Sequence, residues 1–426
     1  MATLQEKLAA MIPGYRDEVK NLVTNYADKV VSNVTLRQAY GGMRGVVGLV
    51  CDTSVVSPDK GLIIRGIPVS ELTDKLPEEI FYLLLTGELP DKDALKALQD
   101  DFKKHSKVPG YVWDVVKGMG KDAHPMAMLS AAILALEKES AFRKRYTEGM
   151  KKTEYWEPAV QDGIQLIAKL PTIAAGIYRI KYNKGDLIPS NPQLDWGADF
   201  AYMMGIDDPK GDFAELMRLY MTLHSDHEGG NVSAFTGHVV ASALSDIYYA
   251  ISAALNGLAG PLHGLANQEC LNFVLGILDK HKGAPNDEQL KEYCWDTLNS
   301  GQVIPGYGHA VLRTPDPRFV AFVDFGRKYC ADDPVFQIVD RLYAIVPDIL
   351  KEQGKAKNPW PNVDAGSGSL LYHYGVKEFE FYTVFFGVSR AMGISSQIIL
   401  NRALGTAITR PKSQSTKWMK DFTSKA

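Results

Sequence analysis

Apolar positions return every three or four residues over most of this chain, the spacing of helices that bury one face. LQEKLAAMI opens with that period. From Glu71 onward it recurs in EEIFYLLLTG, MAMLSAAILALEKES, VQDGIQLIAKLPTIAAGIYRIKY and FAELMRLYMTLHSD. Later helices are predicted over 237–255, 264–279, 288–299, 317–330, 334–352, 368–374 and 379–391. Pro125 fits the first turn of its helix, whereas Pro171 predicts a break or bend. Two glycine-punctuated apolar pieces, 40–50 and 61–69, read as short strands or loops. Few stretches alternate as half-buried strands do. The expected fold class is therefore all-α, with minor β near the N-terminus and no internal repeat. The most apolar long segment, 239–258, contains Ser242, Ser245, Asp246 and Asn256, which predicts a buried helix rather than a membrane span.

Composition adds exclusions. A chain of 426 residues, 46% of them apolar, can bury a large core divided into two domains. With 47 basic against 50 acidic side chains and no basic block, nucleic acid is not an expected partner. Cys51, Cys270, Cys294 and Cys330 form no CxxC pair, so reduced, mostly buried thiols are expected. The mixed charge of MATLQEKLAAMIPGYRDEV does not fit a signal or transit peptide. The expected location is cytoplasmic, with the mitochondrial matrix as the alternative for a processed form.

Four segments hold candidate chemistry. In HSDHEGGN, 224–231, His224 and His227 are three apart and can share a helix face, with Gly229 and Gly230 marking the helix end. HExxH is missing and no third ligand is placed, so no metal is expected. In NGLAGPLHGLANQE, His263 lies at or before a helix N-terminus, where backbone N–H groups disfavour imidazolium. It is either a simple cap or a neutral electrophile for a developing enolate. In PGYGHAVLRTPDPR, glycines allow a tight turn that presents His309, and Arg318 can clamp a carboxylate bidentately. In NVDAGSGSLL, Asp364 is either the N-cap of the following helix or a general base in a dry pocket. Arg390 and Arg410 are salt-bridge partners or anion clamps. No nucleophile elbow, Walker motif or dinucleotide motif is present.

Together YGGMRG, HPMAMLSAA, LHSDHEGGNVSA, NGLAGPLHGLANQE, IPGYGHAVLRTPDPR, NVDAGSGSLL and FGVSRAMG…RPKS closely resemble citrate synthases of the longer, eukaryotic type, in order from residue 40 to about 415. The resemblance implies a large helical domain, 1–266 plus 377–426, and a small one, 267–376, that closes over the site. It implies an obligate homodimer. No bound metal or redox cofactor is implied, acetyl-CoA being a substrate and CoA a product. The implied reaction condenses acetyl-CoA with oxaloacetate and hydrolyses citryl-CoA to citrate and CoA.

By the same resemblance Asp364 takes the methyl proton, His263 stabilises the enolate and His309 polarises the oxaloacetate carbonyl. His227, Arg318 and Arg390 hold oxaloacetate, with Arg410 supplied by the other subunit. Pro305, Gly306, Tyr307 and Gly308 would wrap the adenine end of CoA. Arg44, Arg313, Lys144 and Arg145 are candidates for its phosphates, although Lys144 stands where the family's F-x-R-x-Y order has arginine. Two further departures are Phe235 and Gly366, where the family commonly has histidine. The nearest rival reading is 2-methylcitrate synthase, which uses propionyl-CoA. That choice turns on one methylene, worth about 1–3 kcal/mol. A non-catalytic helical scaffold is the alternative from a different class, and a metal-dependent hydrolase is weaker again.

Overall fold

The computed structural model describes residues 3–308, 311–356 and 358–424. Helices dominate, as the period predicts. The described residues hold one small antiparallel sheet, β1 (Ser54–Ser57), β2 (Gly61–Ile64) and β3 (Ile67–Pro68). Ser54 pairs with Ile64 and Ser57 with Gly61. β2 and β3 fall in the 61–69 piece, but the 40–50 piece makes a turn and no strand.

Two long helices, Trp156–Lys181 and Tyr382–Leu404, are buried on most faces and organise the larger core. Pro171 does not break the first. The N–H it lacks would have bonded the Ile167 carbonyl. That carbonyl instead accepts the indole Nε1–H of Trp196 at 2.8 Å. The segment Phe379–Leu404, with mean hydropathy 1.3, is long and apolar enough to cross a membrane, yet it is buried inside the fold. It exceeds the predicted 379–391 helix, because an all-round buried helix shows little period.

The predicted 237–255 helix is two helices, Val232–Ser242 and Ile247–Leu258. They meet at a corner where Leu244 adopts φ 66. Asp246 caps the second, accepting the Tyr249 N–H at 3.1 Å. The polar residues inside the apolar run thus end one helix and begin another. Gly237 allows the close packing here: an added Cβ would lie 2.9 Å from Ile394 Cγ2 and 3.3 Å from Ala254 Cβ.

Ala266–His281, Asp287–Asn299, Pro317–Tyr329, Pro334–Gln353 and Asp364–His373 pack mainly on one another. The β1–β2 hairpin touches this group at its end. A Cβ on Gly61 would lie 2.5 Å from Cδ of Pro317, the first residue of the 317–329 helix. All four cysteines are free, and Cys270, Cys294 and Cys330 are buried.

Candidate active site

The Asp212–Leu223 helix ends before His224, so His224 and His227 do not share a helix face. The chain leaves the helix there because His224 turns back under its last turn. Its ring stacks on Tyr220 at 4.2 Å and its Nδ1 lies 3.1 Å from the Tyr220 carbonyl oxygen. A carbonyl only accepts, so Nδ1 carries the proton. Burial, then Arg318 and Arg390, hold the His224 pKa well below the ordinary value. Among the described residues no group of three His, Cys, Asp or Glu is placed to hold a metal.

The loop after His224 is fixed by Asp226, which is wholly buried. Its carboxylate accepts from Thr53 Oγ1 at 2.5 Å, Ser54 Oγ at 2.9 Å and Gln397 Nε2 at 2.8 Å. Ser54 Oγ also accepts the Glu228 N–H at 2.7 Å. Two distant segments, one around Ser54 and one around Gln397, thereby shape the loop that presents His227. The His227 carbonyl accepts from Asn231 Nδ2 at 2.8 Å. Sequence reasoning missed Thr53, Ser54, Asp226 and Gln397 as support, since no local pattern links residues some 170 positions apart.

Arg390 lies on the 382–404 helix and is 2% exposed. Its Nε donates to the His224 carbonyl at 3.1 Å and its guanidinium lies 4.7 Å over the Phe386 ring. It makes no ion pair with a carboxylate among the described residues. Burial pulls its pKa down to about 10, Asp226 opposing and Arg318 adding to that shift. A buried cation without a paired anion is costly to keep and suits a site that receives one. Arg318 differs from expectation. Its Nε and Nη2 are already held by Asp316, at 3.0 and 2.7 Å, so that fork does not clamp a ligand.

His263 sits in a turn before the 266–281 helix, as predicted, but the helix N-terminus that it meets is another one. Its Nε2 is 3.3 Å from the backbone N of Ser233 and 3.0 Å from Ser233 Oγ, in the first turn of the 232–242 helix. An amide N–H only donates, which places the lone pair on Nε2 and the proton on Nδ1. Burial, with Arg390 adding to it, pulls the pKa down to about 4. His263 is therefore a neutral donor at ordinary pH.

Asp364 is the first residue of the 364–373 helix, not its N-cap. Its own N–H donates to Asn362 Oδ1 at 3.0 Å, while its carboxylate makes no hydrogen bond or ion pair among the described residues. Burial raises its pKa to about 6, with Asp316 adding and Arg318 and Arg390 opposing. The glycine loop lies alongside. Gly308 N–H donates to Trp360 O at 2.9 Å and Asn362 N–H to Gly306 O at 2.8 Å. Gly306, at φ +80, is required by the protein itself: an added Cβ would lie 2.7 Å from Cys270 Sγ and 2.8 Å from Ala365 Cβ. Pro305 and Tyr307 are half-buried in the same loop. His309 lies outside the described residues.

The candidates for CoA phosphates differ in how free their side chains are. Arg44 and Lys144 are exposed, as is Arg410. Arg145 is paired with Glu157 at 2.8 Å and Glu154 at 3.6 Å. Arg313 folds its Nη1 onto the carbonyls of Val311 and Leu312, at 2.9 and 2.7 Å.

Comparison with known proteins agrees with this architecture. Residues 42–412 match the family described as "Citrate synthase, C-terminal domain". The mitochondrial citrate synthase 4 of Arabidopsis thaliana is 48% identical, the match spanning 99% of this chain and 91% of that protein. The mitochondrial citrate synthase of Saccharomyces cerevisiae is 46% identical over 99% and 90%. The crystal structure of the Pyrobaculum aerophilum citrate synthase superposes with a TM-score of 0.79 at 30% identity, covering 91% and 95% of the two chains. The expectation of a cytoplasmic location is overturned, because these curated relatives are named mitochondrial. The motifs in order, the all-helical fold and these matches agree that this chain belongs to the citrate synthase family.

Proposed function

We infer that the gathered residues divide the work of citrate synthesis among them. The chain is an enzyme of that kind. The reaction joins acetyl-CoA to oxaloacetate and hydrolyses citryl-CoA, the opening step of the tricarboxylic acid cycle. A methyl group beside a thioester is a weak acid, so base and enolate stabiliser must act together. Asp364 takes the methyl proton. His263 donates its Nδ1–H to the thioester oxygen as charge develops there. The methylene carbon then attacks the oxaloacetate ketone, whose oxygen is polarised by His309. Water afterwards cleaves the thioester of citryl-CoA within the closed site. Arg390 and His227 hold oxaloacetate together with Nη1 of Arg318. The observation that carries this reading is Asp364: a carboxylate without a hydrogen-bond or ion-pair partner among the described residues, raised to about 6 by burial.

The test is CoA release from acetyl-CoA and from propionyl-CoA, with and without oxaloacetate, in excess EDTA. Oxaloacetate-dependent release that favours acetyl-CoA and ignores EDTA is expected, since no resident metal is proposed. A preference for propionyl-CoA would shift the assignment to 2-methylcitrate synthesis. The division 1–266 plus 377–426 against 267–376 is retained as the two bodies that close. A radius of gyration unchanged by oxaloacetate would count against closure.

A homodimer in mitochondria completes the reading. Val30, Val31 and Val50 are 71–79% exposed and Ile408 is 62% exposed, leaving apolar surface that a second copy would cover. Arg44 and Arg410 lie in these same exposed segments, which suits an Arg44 that reaches CoA and an Arg410 that reaches oxaloacetate across the interface. Pro305 to Gly308, Arg313, Lys144 and Arg145 are kept as further CoA contacts. Sedimentation velocity is expected to give a dimer of the 47.0 kDa chain. A monomer with full activity would remove the cross-subunit role of Arg410.

A further inference from the structure

Gly366 is the third residue of the 364–373 helix. It is buried, and its missing side chain is replaced by a ring. A Cβ at 366 would lie 3.2 and 3.3 Å from Cδ2 and Cε2 of Phe319 and 3.5 Å from Phe322 Cβ. Phe319 has little room to yield: it is wholly buried, with the Tyr343 ring set edge-on at 5.0 Å. Phe319 also follows Arg318 directly. The start of its helix is tied to the segment before Asp364 by the Asp316 N–H, which donates to Pro361 O at 3.2 Å. Contact at Gly366 therefore governs how closely two helix N-termini approach. One carries the Arg318–Asp316 pair and the other carries Asp364.

We propose that Gly366 is a positioning residue, which by admitting Phe319 against the 364–373 helix fixes the distance from the Arg318–Asp316 pair to the Asp364 carboxylate. The inference rests on the reading of Asp364 as the base. The groups that face Asp364 are Arg318 and Asp316 from the start of the 317–329 helix, Arg390 from the 382–404 helix, Tyr220 from the 212–223 helix and Cys270 from the 266–281 helix. Tyr220 and Cys270 stay neutral, because burial pushes both upward. Of the Arg318–Asp316 pair, the guanidinium acts on Asp364 more strongly than the carboxylate. Moving the pair away removes more stabilisation of the ionised base than repulsion of it.

The test is the pH profile of kcat/KM in G366A, G366V and G366V/F319L. The acid limb is expected to move upward by a few tenths of a unit in G366A. In G366V it moves by roughly half a unit, a fraction of the 1–3 units that an adjacent guanidinium supplies. F319L should return the limb of G366V toward wild type by relieving the contact. Thermal unfolding of G366A should change little, the better helix propensity of alanine offsetting the cost of the close contact with Phe319. A purely structural role would give the reverse, lower stability with an unmoved limb. A limb unmoved in both single variants overturns the proposal, as does one that F319L fails to restore. D364N separates the two levels. If it retains wild-type turnover, the base reading itself fails. If it is inactive while the Gly366 variants keep the wild-type limb, the positioning role alone fails.

Discussion

Asp364→Asn is expected to lower kcat by about 10²–10⁴-fold, the usual contribution of a positioned general base, or roughly 3–5 kcal/mol of transition-state stabilisation. Asparagine matches the shape but cannot take a proton. Oxaloacetate affinity should change far less, since Arg390 is the residue proposed to supply much of that binding. The same group sets the pH dependence. Asp364 works ionised, and burial raises it to about 6, so activity should fall as pH drops through 6. His263, held near 4, stays neutral through that fall and adds no second limb above it. Stability moves the other way. The folded pKa lies above the ordinary 3.8, so the contribution of Asp364 to stability is full below 3.8 and is lost as pH rises through about 6. D364N should therefore melt higher than wild type at pH 8 and show no such gain at pH 3.5. Steady-state release of CoA and thermal melts check both. Retained turnover in D364N would remove the proposed mechanism.

Arg390→Leu is expected to raise the KM for oxaloacetate by at least tens-fold and up to several thousand-fold, the 2–5 kcal/mol typical of a desolvated, hydrogen-bonded charge pair. The KM for acetyl-CoA at saturating oxaloacetate should move little. Unfolding temperature should hold or rise. Arg390 is buried without a carboxylate partner among the described residues, and apolar replacement of such a charge removes its desolvation penalty. Arg390→Lys keeps the charge and loses the planar fork, so its KM should fall between the two. A large loss of stability with unchanged KM would make Arg390 a structural cation. The gain of stability against loss of binding is the signature of a site built to wait for an anion.

Much of this was legible in the chain, for reasons that differ by residue. The helices on the surface of the core were readable because one face is apolar and the other polar. The all-buried 382–404 helix was readable only in part, since burial on every side erases the period. The corner at 243–246 was missed because the polar Ser242, Ser245 and Asp246 fit one buried helix as well as two, and Leu244 at φ 66 and the Asp246 cap reveal the turn. Pro171 predicted a break or bend; the helix is not broken there, and the Trp196 indole satisfies the carbonyl that proline leaves unpaired. For Asp364, the sequence left N-cap and base both open. The structure shows the helix beginning one residue earlier than a cap would require, with the carboxylate unspent.

The apolar period determined the all-α fold, and motif order the family and the identity of the candidate residues, because side-chain chemistry and local spacing are written along the chain. Tertiary structure decided what those side chains are able to do. His263 is neutral because folding buries it and brings Arg390 near, while the Ser233 N–H, thirty residues upstream, fixes its proton on Nδ1. Arg318 has its fork taken by Asp316, whereas Arg390 does not have its guanidinium claimed by any described carboxylate. Asp226 shapes the His227 loop by joining β1 to the 382–404 helix. Charge state and availability depend on burial and on partners brought from far along the chain, and these exist only once the chain has folded.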